Sequence, residues 1–288
     1  MKLYHVDAFT GKPFAGNPAA VVPVDEWPDQ DLMQQIAAEQ NLSETVFVGP
    51  ASDGSARDNS ADRRLRWFTP TVEVPLCGHA TLAAAHVLWN HEGEVVERLT
   101  FESLSGPLTV WHEKQRDDDL IVMDFPARPL EPSSLDPAIV ESLGPCPEEM
   151  YRTTERIGVG DDAHPLYVAV YENKRDVHEL SPDMKKLAAI EAHGVVATAP
   201  GTSHDFVSRF FAPRAGVDED PVTGSAHCAL APYWARRLGK NRLSAHQVST
   251  RGGDLRCDVT TDDLGGQGDR VLLAGRAVTY SIGEILTS

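Results

Sequence analysis

The chain is poor in positive charge. Its 288 residues include 26 lysines and arginines against 43 aspartates and glutamates, which gives a net charge of −17 at pH 7. A broad negative field repels the phosphate backbone of DNA and RNA. We therefore expect no nucleic-acid partner.

Long apolar runs and paired cysteines are also missing. No uncharged apolar stretch approaches the ~20 residues of a membrane-spanning helix, and the first residues lack the apolar core of a signal peptide. The four cysteines are scattered without a Cys-x-x-Cys pair, which is typical of reduced thiols rather than of a disulfide framework or a zinc site. These absences predict a cytoplasmic protein with no membrane partner and no metal.

The sequence contains none of the short motifs that mark common cofactor sites or hydrolases. Walker A, Gly-x-Gly-x-x-Gly, Gly-x-Ser-x-Gly and His-Glu-x-x-His patterns are all absent. Nucleotide-binding, nicotinamide-dependent, serine-hydrolase and zinc-protease functions therefore have no support from motifs.

Strand patterns are more frequent than helical ones. At 41% hydrophobic residues, a chain of this length can build a core without metal or disulfides. Two-residue alternation predicts strands at 3–9, 45–48, 65–68, 108–112, 120–125, 166–171, 194–199, 206–211 and 276–282. Helical spacing predicts helices at 28–39, 79–89 and 225–238, and Pro232 is expected to kink or split the third.

One motif occurs twice. Residues 66–70 (Arg-Trp-Phe-Thr-Pro) match 209–213, and residues 75–80 (Pro-Leu-Cys-Gly-His-Ala) match 221–226. The spacings are 143 and 146 residues, close to half of the chain. Six identities in nearly the same order argue against a chance similarity of two common strand-turn-helix units. The repeat predicts two lobes with pseudo-twofold symmetry.

The boundary between the lobes is expected in the charged, turn-forming segment 114–119, which gives lobes of 1–118 and 119–288. The proline-rich segment 126–147 is an alternative boundary, although it contains enough apolar residues to pack.

Each copy of the repeat places a glycine, Gly78 or Gly224, where a strand passes into a helix. The first N–H groups of a helix lack partners within it and carry partial positive charge, so such a turn is suited to an anion. Two such turns facing each other across a cleft would bind a small carboxylate. Asn17, in the glycine- and proline-rich loop 11–19, either only turns the chain or reaches this cleft.

Two residues beside these turns are candidate proton carriers. His79 follows Gly78 at a helix start, where the charged form is disfavoured; it is either an acid/base group or an N-capping histidine without chemistry. Asp220 directly precedes the second turn, whereas its neighbours Asp218 and Glu219 are interpreted as a solvated loop.

Glu44 lies between a helix end and an apolar strand. Desolvation there could raise the pKa of its carboxyl and make it a general acid/base. The alternative is a surface glutamate at the end of a helix, which the spacing alone favours.

The remaining candidates lie in the turns themselves. Unpaired N–H groups would stabilise a thiolate at Cys77, or Cys77 is only a small buried residue. The matching position holds Thr223, so the repeat does not supply a second thiol. Ser225 has no evident adjacent base, and N-capping is the favoured interpretation.

Together these segments resemble the phenazine-biosynthesis PhzF-like isomerase family. The matching segments lie between residues 7 and 227, nearly the whole chain. They are Asp-Ala-Phe-Thr at 7–10, Phe-Ala-Gly-Asn-Pro at 14–18, Asn-Leu-Ser-Glu-Thr at 41–45, the repeat strands at 66–70 and 209–213, Glu-Val-Pro-Leu-Cys-Gly-His at 73–79, and Glu-Asp-Pro-Val-Thr-Gly-Ser-Ala-His at 219–227.

The resemblance implies an α+β, diaminopimelate-epimerase-like fold. Its two similar lobes are each a curled mixed sheet around a central helix, and the final strand, about 276–288, returns to the N-terminal lobe. It also implies a homodimer that works without metal or organic cofactor.

The family's proton shuttle falls on Glu44, its active-site histidine and aspartate on His79 and Asp220, and its turn serine on Ser225. The substrate-binding set is then Asn17, Cys77, Gly78, Thr223, Gly224 and Ser225. The implied chemistry is proton transfer that shifts a double bond on a small carboxylate.

Two alternatives are retained. The first is an amino-acid epimerase or racemase that uses Cys77 with Glu44. The second is a non-catalytic protein of the same fold that binds a metabolite or another protein.

Overall fold

The structure, a computed structural model, describes residues 1–52, 61–115, 118–158, 163–260 and 269–287. The strands in this part of the chain are β1 (Lys2–Ala8), β2 (Asn17–Pro23), β3 (Glu44–Gly49), β4 (Arg63–Phe68), β5 (Glu73–Val74), β6 (Arg98–Glu102), β7 (Leu108–Gln115), β8 (Asp118–Pro126), β9 (Leu130–Ser133), β10 (Glu149–Thr153), β11 (Leu166–Val170), β12 (Gly194–Pro200), β13 (Phe206–Ala212), β14 (Val217–Asp220), β15 (Arg242–Gln247), β16 (Gly253–Thr260), β17 (Arg270–Gly275) and β18 (Ala277–Glu284). The helices are α1 (Gln30–Gln40), α2 (Gly78–Asn90), α3 (Pro137–Leu143), α4 (Lys174–His178), α5 (Met184–Ala188) and α6 (Gly224–Leu238).

The chain divides into two compact units, Met1–Asp124 with Ala274–Ser288, and Phe125–Leu273. The division lies six residues after the expected boundary at 118/119. β8 forms an antiparallel hairpin with β7, so the chain stays in the first unit until this strand is nearly complete. Residues 116 and 117 of the expected boundary segment lie outside the described residues.

The first unit is a mixed sheet around α2. β1 pairs antiparallel with β18 and β2, β2 runs parallel to β3, β3 is antiparallel to β4, and β4 runs parallel to β6. The C-terminal strand therefore belongs to the N-terminal unit, where the resemblance placed it. α2 packs against β1, β2, β3 and β18, and its alanines 80, 83, 84 and 85 are fully buried. Small side chains let the sheet approach this helix closely on all sides.

The second unit repeats this order. β11 runs parallel to β12, β12 is antiparallel to β13, and β13 runs parallel to β15. α6 lies between β14 and β15 in the chain, as α2 lies between β5 and β6, and it packs against β15 and β16. The prediction of two similar α+β lobes is confirmed.

α6 runs without interruption through Pro232, so the expected split of this helix is wrong. Proline has no N–H to offer the carbonyl four residues earlier. That carbonyl, on Cys228, instead accepts a hydrogen bond from the Arg128 N–H at 3.0 Å. Pro232 itself is buried, so packing also favours the continuous helix.

No helix within the described ranges is long and apolar enough to cross a membrane.

Candidate functional site

The first unit brings Asn17, Ser43, Glu44, Cys77 and His79 together, a group that we call the Glu44 cluster. The end of α1 positions the first part of it. Asn41 adopts a left-handed conformation (φ 50°) and its N–H donates to the Ala37 carbonyl at 3.1 Å, which terminates the helix. The chain then enters β3 at Glu44, whose backbone pairs with Ala19 of β2.

Glu44 and Cys77 lie near different nitrogens of the His79 ring. Glu44 Oε2 is 3.4 Å from His79 Nε2, and Cys77 Sγ is 3.4 Å from His79 Nδ1. Exposed fractions of the Glu44 and His79 side chains are 19% and 6%, and Cys77 is buried. The Glu44 carboxylate therefore has limited access to solvent beside a ring that can accept or donate a proton.

Asn17 and Ser43 extend the cluster. Ser43 Oγ lies 3.4 Å from His79 Nε2 and donates to Asn17 Oδ1 at 3.5 Å. Asn17 is fully buried at the start of β2, directly after Gly16. Gly16 has φ +65°, and a Cβ there would lie 2.1 Å from the Ala8 carbonyl oxygen, so only glycine fits. The loop thus does more than turn the chain: it fixes Asn17 inside the cluster.

Burial raises the pKa of the Glu44 carboxyl. Desolvation is the largest cause, and hydrogen bonds from Ser43 and Cys77, which favour the charged form, oppose it. The pKa of Glu44 is therefore shifted toward neutral pH. A group that both removes and returns a proton needs such a shift. The interpretation of Glu44 as an ordinary surface residue is wrong.

The second turn, in the other unit, is organised by hydrogen bonds. Thr223 Oγ1 donates to Asp220 Oδ2 at 2.5 Å. The buried Gln247 side chain accepts from the Thr223 N–H at 2.9 Å and donates to the Asp220 carbonyl at 2.6 Å. Sequence reasoning missed Gln247, although 247–249 (Gln-Val-Ser) lie 144 residues after 103–105 (Ser-Leu-Ser) and could have been aligned with them.

The helix starts differ from two expectations. Cys77 and Thr223 occupy the N-cap positions of α2 and α6, and neither makes a side-chain capping bond. His79 and Ser225 are each the second residue of their helix, so N-capping by either is wrong. Gly78 and Gly224 begin the two helices.

Each turn is braced in the same way. Arg66 binds both carboxylate oxygens of Glu73, and Arg209 binds both of Glu219. In addition, the Ser105 hydroxyl donates to the Pro75 carbonyl at 2.9 Å, and the Ser249 hydroxyl donates to the Pro221 carbonyl at 2.8 Å. Glu219 is thus a structural partner of Arg209, and its interpretation as part of a solvated loop is wrong, whereas Asp218 is exposed.

The groups that can carry a proton are not duplicated. Phe47 pairs with Arg66 in one sheet and Ala197 pairs with Arg209 in the other, so the counterpart of Glu44 is Gly194. At the matching positions of the repeat, Ser225 corresponds to His79 and Thr223 corresponds to Cys77. The first unit therefore contains the buried carboxyl, the imidazole and the thiol, whereas the turn of the second unit contains hydroxyls and Asp220.

The Glu44 cluster also contains a donor set that could hold a metal. One ligand atom each of Glu44, Cys77 and His79 lies within 4.8 Å of the others, and oxygen, sulfur and nitrogen donors suit zinc. Absence of a metal stays a prediction, as do the catalytic and binding roles of the individual residues.

Comparisons with known proteins agree on one family. Residues 6–283 match the family model described as phenazine biosynthesis-like protein. An uncharacterized isomerase of Pseudomonas aeruginosa is 45% identical, covering 99% of this chain and 98% of that protein. A crystal structure of a PhzF-family phenazine biosynthesis protein from Enterococcus faecalis is 40% identical, covers 99% of both chains and superposes with a TM-score of 0.84.

A more distant structure shows how far the fold extends. A probable proline racemase from Agrobacterium radiobacter covers 100% of this chain and 93% of its own, with a TM-score of 0.64 at 10% identity. That likeness concerns the fold alone, and it confirms the expected epimerase-like architecture. Since the family match spans nearly the whole sequence and both repeats, the chain belongs to the phenazine biosynthesis-like, or PhzF, family.

Proposed function

We propose that this protein is an isomerase that moves a proton, and with it a double bond, on a small carboxylate-bearing metabolite without a metal or organic cofactor. The observation that carries the proposal is the Glu44 carboxyl, with a raised pKa, 3.4 Å from His79. Membership of a family whose relatives include proteins named isomerases supports the reaction class. From the resemblance we also propose a homodimer, and from the scattered cysteines a cytoplasmic location.

In the proposed reaction Glu44 acts in both directions. Its carboxylate accepts a proton from a carbon beside an activating group, and the C–H electron pair becomes part of a delocalised anion. The protonated Glu44 then returns the proton to the other end of that system, so that the double bond moves and no atom is gained or lost. The proposal requires a carboxyl with accessible neutral and charged forms.

The other candidate residues are proposed to bind and orient. The N–H groups of the Gly78 turn stabilise negative charge that develops on the substrate. His79 donates to or accepts from a polar substrate group, and Asn17 and Ser43 hold the ring in place. Asp220 is proposed to orient polar groups of the substrate and to relay the proton. For Thr223, Gly224 and Ser225 the proposed role is substrate binding, with Gln247 as a positioning residue that fixes Thr223.

Hydrogen exchange with solvent tests the proposal on many candidate substrates at once. The protein is incubated in D₂O with a panel of cyclic and amino-bearing carboxylic acids, and products are followed by NMR and mass spectrometry. At least one acid is expected to gain one deuterium with a shifted double bond, with and without EDTA. Absence of both deuterium uptake and a shifted double bond in every acid would contradict the isomerase proposal, and activity lost with EDTA would contradict its independence of metal.

Epimerisation or racemisation with Cys77 and Glu44 is a second candidate function. The observation that favours it is the position of Cys77 Sγ, 3.4 Å from His79 Nδ1 at the N-terminal end of α2. Thr223 at the matching position excludes a pair of thiols within the repeat.

Substituting Cys77 by alanine separates the two functions. If Glu44 alone moves the proton, exchange is expected to stay within about tenfold of wild type, with its pH profile moved to higher pH, because a hydrogen bond that favours the charged carboxylate is lost. If the thiol takes part, the rate is expected to fall by about 10²–10⁴-fold. C146A, at an exposed cysteine, is the control.

A further inference from the structure

A second group of metal-ligating side chains lies in the second unit, outside the turn that precedes α6. His204, His246 and Asp254 form this group, which we call the His204 cluster. His204 precedes β13, His246 is on β15 and Asp254 is on β16. His246 and Asp254 are directly paired across the two strands, so the sheet itself fixes their separation.

The three side chains converge on one oxygen atom. His246 Nδ1 lies 2.6 Å and His204 Nε2 lies 3.3 Å from Asp254 Oδ1. The two imidazole rings are stacked, with centroids 5.2 Å apart. A ring nitrogen that donates a hydrogen bond toward this oxygen directs a lone pair the same way once it has lost its proton.

The backbone around His204 is held firmly. The Gly201 N–H donates to the Asp205 carbonyl at 3.1 Å, and a Cβ on Gly201 would lie 2.2 Å from the His204 carbonyl oxygen. Asp205 accepts from the Ser244 N–H at 2.8 Å, which ties this turn to β15 two residues before His246. Ser203 Oγ, 3.2 Å from His204 Nδ1, supports the other nitrogen of that ring.

We propose that the His204 cluster binds a divalent transition-metal ion of the Zn²⁺ class, with His204 Nε2, His246 Nδ1 and the Asp254 carboxylate as ligands. Tetrahedral zinc with bonds of about 2.0–2.1 Å has ligand atoms about 3.3–3.4 Å apart. The His204–Asp254 distance of 3.3 Å already matches this value. The 2.6 Å distance from His246 to Asp254 must lengthen on binding, which a rotation of the carboxylate provides.

The side chains of the His204 cluster are exposed enough for a metal ion to reach them. Its side chains are 30%, 31% and 68% exposed in the order His204, His246, Asp254, so an ion can enter and a water molecule can complete its coordination. Two nitrogens and one carboxylate oxygen without a thiol favour zinc, nickel, cobalt or copper over magnesium or calcium. Because His246 directly precedes Gln247, the ion would also restrain the strand end that holds Thr223.

Zn²⁺ titration of the full-length protein against a chromogenic chelator tests this site. Wild type is expected to bind Zn²⁺ in the His204 cluster. His246→Ala and Asp254→Asn are each expected to bind Zn²⁺ at least about tenfold more weakly. His178→Ala, which removes an exposed histidine of α4, is the matched control and is expected to bind as wild type does. Equal affinity of the wild type and both cluster variants, or no Zn²⁺ binding by the wild type, would overturn the proposal.

Co²⁺ distinguishes this cluster from the Glu44 cluster. A metal held by Cys77 gives a sulfur-to-metal charge-transfer band, whereas the His204 cluster gives only ligand-field bands. Ligand-field bands that appear without a charge-transfer band are expected to disappear in His246→Ala. Should that variant fail to fold, Ser203→Ala keeps all three ligands and is expected to weaken Zn²⁺ binding about tenfold by releasing the His204 ring; unchanged affinity would then count against the site.

Discussion

Replacing Glu44 by glutamine is expected to lower the rate of substrate hydrogen exchange by about 10²–10⁴-fold. Glutamine keeps the size and the hydrogen-bonding oxygen of the side chain but cannot accept a proton from carbon. The repeat offers no substitute, because the matching position in β12 is Gly194. The measurement is deuterium incorporation into whichever acid of the panel the wild type exchanges, at saturating and at low concentration.

Glu39→Gln is the control for this substitution. Glu39 is exposed near the end of α1, five residues before Glu44, and the same change there is expected to leave exchange unaffected. Exchange by Glu44→Gln at the wild-type rate would remove Glu44 from the mechanism. A Glu44→Gln protein that binds the acid normally but does not exchange it would separate binding from proton transfer.

Glu44→Gln is also expected to change the free energy of unfolding in a way that depends on pH. Because burial raises the pKa of Glu44 in the folded state, the folded protein holds this proton more tightly than the unfolded chain. The stability gained in this way is fully present below the unfolded pKa and is lost as the pH rises through the folded pKa. Glutamine has no charge to bury, so the variant should resist urea at least as well as wild type at about pH 8, and the difference should shrink on acidification. If Glu44→Gln were less stable than wild type both at about pH 8 and at acidic pH, Glu44 would be held mainly by its hydrogen bonds.

The internal repeat was the part of the fold that the sequence predicted best. The motif contains two prolines and a glycine, which suit only particular backbone conformations, and an arginine. These residues therefore mark equivalent backbone positions even where their neighbours differ. The boundary and the short helices were harder to predict. The start of α3 is marked by Asp136 as N-cap and Pro137 at the first helical position. The helix is only seven residues long, which is too short to show a clear helical period.

Misinterpreted residues share one physical cause, a partner distant in the sequence. Three consecutive acids at 218–220 look like a solvated loop until Arg209, ten residues earlier, is seen to bind Glu219. Pro232 predicts a broken helix until Arg128 supplies the missing hydrogen bond from outside the helix. Gln247 lies 24 residues after Thr223, and the two meet only because β13 pairs with both β14 and β15. Local pattern cannot report such partners.

Burial of Glu44 was only one of two interpretations, and the spacing alone favoured the other, a surface glutamate. The buried interpretation rested on its place at the start of an apolar strand, where the strand enters the core. Its neighbours Cys77 and His79 come from the turn of the repeat, and no sequence pattern measures their distance from Glu44. β2, which pairs with β3 and carries Asn17 at its start, was not predicted as a strand.

Substituting Arg209 by methionine is expected to destabilise the protein by about 2–4 kcal/mol. Methionine keeps the apolar length of the side chain but leaves the mostly buried Glu219 without its bidentate partner. It also removes donors to two carbonyl oxygens, of Leu180 at 2.7 Å and of Val177 at 3.3 Å. Those carbonyls lie at and just after the end of α4, a five-residue helix that depends on such partners.

The repeat supplies a matched control, Arg66→Met. Arg66 makes the same bidentate contact with Glu73 and stacks over Phe68 as Arg209 stacks over Phe211. Its remaining bond goes to the Gln30 side chain at an exposed position instead of to buried backbone carbonyls. A smaller loss of about 1–2 kcal/mol is therefore expected, since the ion pair is removed but no carbonyl is left unsatisfied.

Urea unfolding of both variants, compared by their midpoints at a common slope, measures the difference. Adding Glu219→Gln to Arg209→Met should recover part of the loss, because it removes the unpaired carboxylate, but it cannot restore the bonds to Val177 and Leu180. Equal destabilisation by Arg66→Met and Arg209→Met would mean that the ion pair accounts for the whole effect. A larger loss in Arg209→Met that the second substitution only partly reverses would show that this arginine joins the second turn to α4, a role that its counterpart in the first unit does not have.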